Sequence, residues 1–187
     1  MEYVADEDTN GGEGTMSWKL LQAIIVLPGM VVVFIPLLIL YLASATRFEH
    51  QLSGFGDVTL WVGIIAGCSG MALSVWTSAL FTKYGSGTPA PWNPPTRFVV
   101  RGPYRHVRNP MIIGVLLMLA CEALVLRSLP VALWACVFFA GNAVYFPLSE
   151  EKDLEARFGD SYREYRSGVP RWIPRLRGWR PERESVD

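Results

Sequence analysis

The chain has 187 residues, 51% of them hydrophobic, with 17 Lys and Arg balanced by 17 Asp and Glu. That length suits one domain, and the even charge excludes nucleic-acid binding as the main function. The apolar residues arrive in long blocks with the charges between them, which predicts a polytopic membrane protein rather than a water-soluble one.

Residues 1–17 are acidic and Gly-rich (Glu2, Asp6, Glu7, Asp8, Glu13). This is the reverse of the basic start of a secretory signal and reads as a disordered tail. Four apolar blocks follow at 20–45, 58–81, 111–126 and 129–148, each near the ~20 residues a helix needs to cross a bilayer. The predicted fold is therefore all-α and integral to the membrane, with four transmembrane helices. Segment 18–82 carries the first two spans. Pro28 and Pro36 are expected to bend the first. Cys68, Cys121 and Cys136 lie inside apolar blocks, odd in number and without a CxxC pattern, so no metal or redox site is expected.

Fifteen of the seventeen Lys and Arg fall before the first span, between spans two and three, or after span four; only Arg47 and Arg127 fall on the other side. The positive-inside rule then places both termini and the 83–110 loop in the cytoplasm.

That loop opens with Gly85-Ser-Gly-Thr-Pro-Ala-Pro-Trp-Asn-Pro-Pro95, too rich in proline for helix or central strand. It is a stiff connector, in which Gly85 and Gly87 would let backbone approach a ligand. The loop ends in Arg101-Gly-Pro-Tyr-Arg-His-Val-Arg-Asn-Pro110. Asn109 followed by Pro110 predicts an N-cap and first helical residue, so span three presents its free N–H groups at the boundary, where an anion is favoured. Gly114, one turn in, allows close packing or ligand approach. Little more than Arg127-Ser128 separates spans three and four, which predicts a tight hairpin with Pro130 in the first turn of span four.

Glu150 and Glu151 stand where the last apolar run stops, an expensive place for two carboxylates unless a cation or donor meets them. Leu148 is followed six residues on by Leu154, Phe158, Tyr162 and Tyr165, which recur every three or four residues, and the set predicts an amphipathic helix interrupted at Gly159, with Asp160 or Ser161 capping a second. Trp172 and Trp179 read as interface anchors.

Two of these stretches together resemble a known superfamily. They are Gly102-Pro-Tyr-Arg-His-Val-Arg-Asn-Pro-Met-Ile-Ile-Gly114, and Glu150-Glu-Lys-Asp-Leu-Glu-Ala-Arg-Phe-Gly-Asp-Ser-Tyr-Arg-Glu-Tyr165 followed by Val169-Pro-Arg. They are similar to motifs of the integral-membrane methyltransferases related to isoprenylcysteine carboxyl methyltransferase and phosphatidylethanolamine N-methyltransferase. The resemblance spans roughly residues 83–174, with 175–187 left as a tail, and the first two spans add nothing to it. Asn109 stands where the family often has His, and Ile112-Ile113 where a Tyr is common.

The resemblance implies an enzyme using S-adenosylmethionine in a cytoplasm-facing pocket capped by the C-terminal helices, with a lipophilic substrate entering from the bilayer. It implies Arg108 and one of the Glu pair, preferably Glu151, as catalytic residues. Tyr104, His106, Asn109, Pro110 and Glu150 match positions near the cofactor, and Gly85 and Gly87 resemble a cofactor-side GxG. The pieces make chemical sense together: a sulfonium and a ribose diol suit carboxylates, and the cofactor's own carboxylate suits an Arg and a helix N-terminus. Arg105 is assigned to lipid phosphates. Glu122 is expected near Arg127, and Asn142 either reaches the site or bonds a neighbouring helix.

Acceptor chemistry stays open among a prenylcysteine carboxylate, the first choice, a phospholipid amine and a small thiol. Competing classes are an NADPH-dependent sterol-reductase-like enzyme and a non-catalytic scaffold. Reductases of that type typically follow the acidic residue with His, where this chain has Glu-Glu-Lys-Asp-Leu.

Overall fold

In a computed structural model, which describes residues 29–44, 51–85 and 98–181, every regular element among the described residues is helical. The helices are α1 (Ile35–Ala43), α2 (Val58–Tyr84), α3 (Pro110–Val125), α4 (Leu129–Tyr145), α5 (Glu151–Phe158) and α6 (Asp160–Gly168). π-turns, Met30–Phe34 and Phe146–Glu150, lead into α1 and α5, and a 3₁₀ turn, Gly102–Arg105, precedes α3.

A proline accounts for each π-turn. Pro36 and Pro147 have no N–H, so the usual i→i−4 ladder cannot close through them. The ladder resumes with a longer step: the Ile35 N–H donates to Met30 O, and the Glu151 N–H to Phe146 O. The carbonyl of Val31, five residues before Pro36, receives the Trp134 indole Nε1–H instead at 3.1 Å. The bend expected at Pro36 takes this form; Pro28 lies outside the described residues.

α2 and α3 run antiparallel along a seam of small residues. A Cβ built on Gly63, Gly67 or Gly70 would fall within 2.9 Å of Val125 Cγ2, 2.7 Å of Cys121 Sγ or 2.5 Å of the Gly114 carbonyl, respectively. Gly114 in turn faces Ser74 and Gly70. Such contact between backbones is how helices pack where water gives no drive to bury Leu. Of the two readings of Gly114, the structure shows the packing one, and half of this seam comes from span two.

At the far end Ser53 straps the connection onto α3, its N–H donating to Val125 O (2.8 Å) and its hydroxyl to Leu124 O (2.9 Å). Arg127 pairs with Asp57 at 2.9 Å, not with Glu122, whose Oε2 is buried without a partner among the described residues. Arg127 turns the chain in a left-handed conformation (φ 45°), and α4 begins with Ser128 as N-cap and Pro130 in its first turn. Asn142 donates to Phe138 O in its own helix at 2.7 Å; this back-bond replaces both roles expected of it.

Two helices among the described residues are long and apolar enough to cross a membrane, Val58–Leu80 and Leu129–Phe158; Met30–Ala43 and Pro110–Val125 are shorter. The expected count of four is thus met by two. α3 falls short because it has only 16 residues, about 24 Å at 1.5 Å per residue, and residues 20–28 of the first block lie outside the described residues. The long helices are 22% and 11% buried, so Trp61, Ile65, Val75, Leu133, Val137 and Val144 point outward.

Candidate functional site

The site is built where the start of α3 meets the end of the π-turn. Gly102 turns the chain with φ +53°, and a Cβ there would lie 3.1 Å from the Trp76 ring and 3.2 Å from Leu80, so glycine is required both for the angle and for the space. The 3₁₀ turn then delivers Arg108, Asn109 and Pro110 to the α3 N-terminus. Asn109 occupies the N-cap position with Pro110 inside it, as predicted, but its side chain makes no capping bond.

Glu151 is buried and held by two arginines. Its Oε1 accepts from Arg108 Nη1 (2.8 Å) and Arg171 Nε (2.8 Å), and its Oε2 from Arg171 Nη2 (2.9 Å). The Arg171 pair is a two-pronged, charge-assisted contact. The cluster holds two guanidinium groups against one carboxylate and so keeps an excess of positive charge. Beside it, Arg108 Nε and Asn109 Nδ2 are buried donors with no partner among the described residues. Glu150, one residue earlier and only partly buried, has no hydrogen bond or ion pair among the described residues. The Glu pair is thus divided, with one carboxylate saturated and the other available.

Three tyrosines back the site. Burial, then Tyr165 and Glu150, pushes the Tyr104 hydroxyl well above its ordinary range. Burial, then Glu151, raises Tyr162, against a hydrogen bond from Arg108 that lowers it. Burial raises Tyr165 while Arg108 opposes. All three stay protonated and can only donate or accept as neutral phenols.

The C-terminal strap closes the back. The Arg108 N–H donates to Pro170 O (2.9 Å), the Arg175 N–H to His106 O (3.0 Å), and the Trp179 N–H to Arg105 O (2.8 Å). His106 Nδ1 lies 2.8 Å from Arg175 O, the Tyr165 hydroxyl donates to Tyr104 O at 2.7 Å, and Arg105 Nε donates to Trp179 O at 3.0 Å. Arg105 therefore serves the strap rather than only lipid. Trp179 is buried against Tyr165 in a cluster with Phe158, Tyr162, Val169 and Phe98, so it is core and not an interface anchor. Leu148, expected on the same inner face, is 61% exposed; six residues before Leu154, it is off the three-or-four-residue spacing of that face.

The bend expected at Gly159 is present, with φ +56°. α6 starts at Asp160 with Gly159 as N-cap and no side-chain cap, so neither Asp160 nor Ser161 plays that part. Gly85 directly follows α2 as a buried residue, and Gly87 lies outside the described residues. No group of three or more His, Cys, Asp or Glu able to hold a metal occurs among the described residues.

Sequence reasoning missed two residues. Arg171 was visible only as the Arg of Val169-Pro-Arg, twenty positions from the carboxylate it grips. Pro147 was the available signal for the π-turn that aims Glu151 inward.

The family model for phospholipid methyltransferase matches residues 58–161. It begins with α2, so that helix belongs to the family pattern along with the first motif and the Glu150–Ser161 part of the second, and it ends before Arg171. No curated protein and no solved structure matches the chain.

Proposed function

The chain belongs to the phospholipid methyltransferase family, and from that membership we propose that it transfers a methyl group from S-adenosylmethionine to a lipophilic acceptor at the bilayer boundary. The observation that carries the proposal is the pair of unpartnered buried donors, Arg108 Nε and Asn109 Nδ2, at the start of α3 in a cluster with excess positive charge.

Such a donor set fits the carboxylate of an amino-acid group, with the α3 N-terminus adding its dipole. Glu150 would hold the ribose hydroxyls or face the cation. When bound, S-adenosylmethionine supplies an electrophilic methyl group on a sulfonium sulfur. Glu151 fixes Arg108 and Arg171 in place and so acts as a positioning residue. Tyr104 holds the motif to α6 through Tyr165, and His106 holds it to the strap through Arg175. The work left to the protein is to orient the reactants and exclude water, since an in-line displacement asks little else.

The membrane arrangement supports a lipophilic acceptor. We place α1 to α4 across the bilayer as four spans, with both termini and the site on the cytoplasmic side. The mostly exposed apolar helices and the one-sided Lys and Arg distribution support that placement.

The motif resemblance ranks a prenylcysteine carboxylate first among acceptors. One observation favours an amine instead. A primary amine is protonated near neutral pH and must give up that proton before its nitrogen can attack the methyl group, whereas a carboxylate attacks as it stands, and Glu150 is a carboxylate, without a partner among the described residues, that can take the proton.

Calorimetric titration with S-adenosylhomocysteine and, separately, NADPH tests the class. Binding of the first, lost in Arg108→Ala, is expected; binding of NADPH alone overturns the proposal. Methyl-labelled S-adenosylmethionine then tests the acceptor. Label in the lipid extract that mild base releases as methanol is an ester, and label that survives is an N-methyl group.

A further inference from the structure

The C-terminal strap carries a second surface that the methyl-transfer site does not use. The Trp172 ring rests edge-on against Phe139 and Phe146 of α4 and its π-turn, with centroids 5.1 Å and 6.1 Å away. Phe139 lies two helical turns, about 10 Å, back along the helix from Phe146. Trp172 therefore sits beside the apolar length of the helix, below the level of Glu150. The next residues leave the protein surface: Ile173 is 79% exposed and Leu176 is 99% exposed. Arg177 and Arg180 follow them, both exposed and without an ion pair or hydrogen bond among the described residues.

Two uncovered aliphatic side chains beside two solvated guanidinium groups would be costly in water alone. They fit a bilayer surface, where acyl chains take the aliphatics and phosphates take the cations. The surface is continuous, through Trp172, with the outward apolar face of α4.

We propose that residues 172–180 are a docking strap for anionic phospholipid, with Ile173 and Leu176 seated in the acyl boundary and Arg177 and Arg180 on the headgroups. The inference rests on the membrane placement above. Its consequence for the site is direct. The same strap supplies Arg171 to Glu151 and bonds the backbones of Arg105, His106 and Arg108. A strap seated in lipid holds Arg171 in its pair; a strap pulled free loosens it. Anionic lipid would thus tighten cofactor binding without touching the cofactor.

The test uses the full chain in nanodiscs of pure phosphatidylcholine and of phosphatidylcholine with about one third phosphatidylglycerol, read by hydrogen exchange over residues 172–180 and by S-adenosylhomocysteine titration. A juxtamembrane Arg near an anionic surface is worth about fivefold in binding. Amides of the strap should exchange roughly tenfold more slowly in the anionic discs. Arg177→Gln with Arg180→Gln should remove that difference, and Ile173→Ser with Leu176→Ser should speed exchange in both discs. These four side chains are exposed, so the variants keep the fold. Equal exchange in the two discs, or a difference that survives the Arg changes, overturns the proposal. So does equal slowing by inorganic phosphate in neutral discs. Strap protection that follows anionic lipid without any S-adenosylhomocysteine binding overturns the methyl-transfer reading alone. Cofactor binding with an indifferent strap overturns this inference alone.

Discussion

The α2–α3 seam and the Glu151 clamp hold the same α3 helix by opposite means. Along the seam the chain leaves out side chains, so that Gly63, Gly67 and Gly70 let backbone meet backbone and side chain directly. At the clamp it places charge where charge is costly and then satisfies it with two arginines. The seam has no room for an added atom. The clamp has no spare partner for a removed one. A rigid scaffold of the first kind allows the second to be polar, because the donors left open at Arg108 and Asn109 cannot collapse onto one another.

The largest effect is expected from breaking the clamp. Glu151→Ala leaves two guanidinium groups facing each other in a buried site, and removing one partner of such a network costs about 3–5 kcal/mol. The variant should lose S-adenosylhomocysteine binding in calorimetry and melt far below the wild type in detergent. Next comes the seam. Gly70→Val drives a Cβ toward the Gly114 carbonyl, which cannot give way as a side-chain end would, at a cost of about 3 kcal/mol, the upper part of the overpacking range. Its thermal midpoint should fall with the α2–α3 pair, while Gly70→Ala should fall less.

Arg171→Lys sharpens the contrast. It keeps the charge and loses the fork, removing one charge-assisted bond at about 1.5–3 kcal/mol. The expected result is weaker cofactor binding with a smaller loss of stability than in Glu151→Ala. Equal losses of stability would show Arg171 to be purely structural. The smallest effect is the control. A Cβ on Gly141 of α4 meets nothing within 4 Å, so Gly141→Ala should leave stability unchanged or raise it by up to about 1 kcal/mol, the helix-propensity difference. A large loss there would mean that α4 is covered by something the isolated chain does not contain.

Much of this was legible in the sequence because it depends on local chemistry. Asn109 before Pro110 marks a helix start, Ser128 and Pro130 mark the next, and Gly159 marks a bend; each is decided within a few residues. The meeting of Arg108 with Glu151 also followed from the two motifs, forty-three positions apart. What stayed hidden depends on phase and on distant packing. Nothing local to Arg171 shows that its fork will close on Glu151, nor does anything near Trp179 show that it will leave the interface for Tyr165. Leu148 was misplaced because it stands six residues before Leu154, off the spacing of three or four that Leu154, Phe158, Tyr162 and Tyr165 keep. Asn142 and Glu122 were read by the partners nearest in sequence or topology, and one bonds its own helix while the other is left without any.

The π-turn at Phe146–Glu150 has one more consequence. It amounts to a surplus residue in an otherwise continuous helical rod running from Leu129 to Phe158. Deleting a residue from a regular helix turns everything beyond it by about 100°, which here would swing Glu151 away from Arg108. Within 146–150 the surplus can be given up and the rod left regular, with the downstream face unchanged. Chain length at that one step is therefore negotiable: loss of Ser149 should preserve the arginine contacts of Glu151, whereas loss of Ala140 should abolish them.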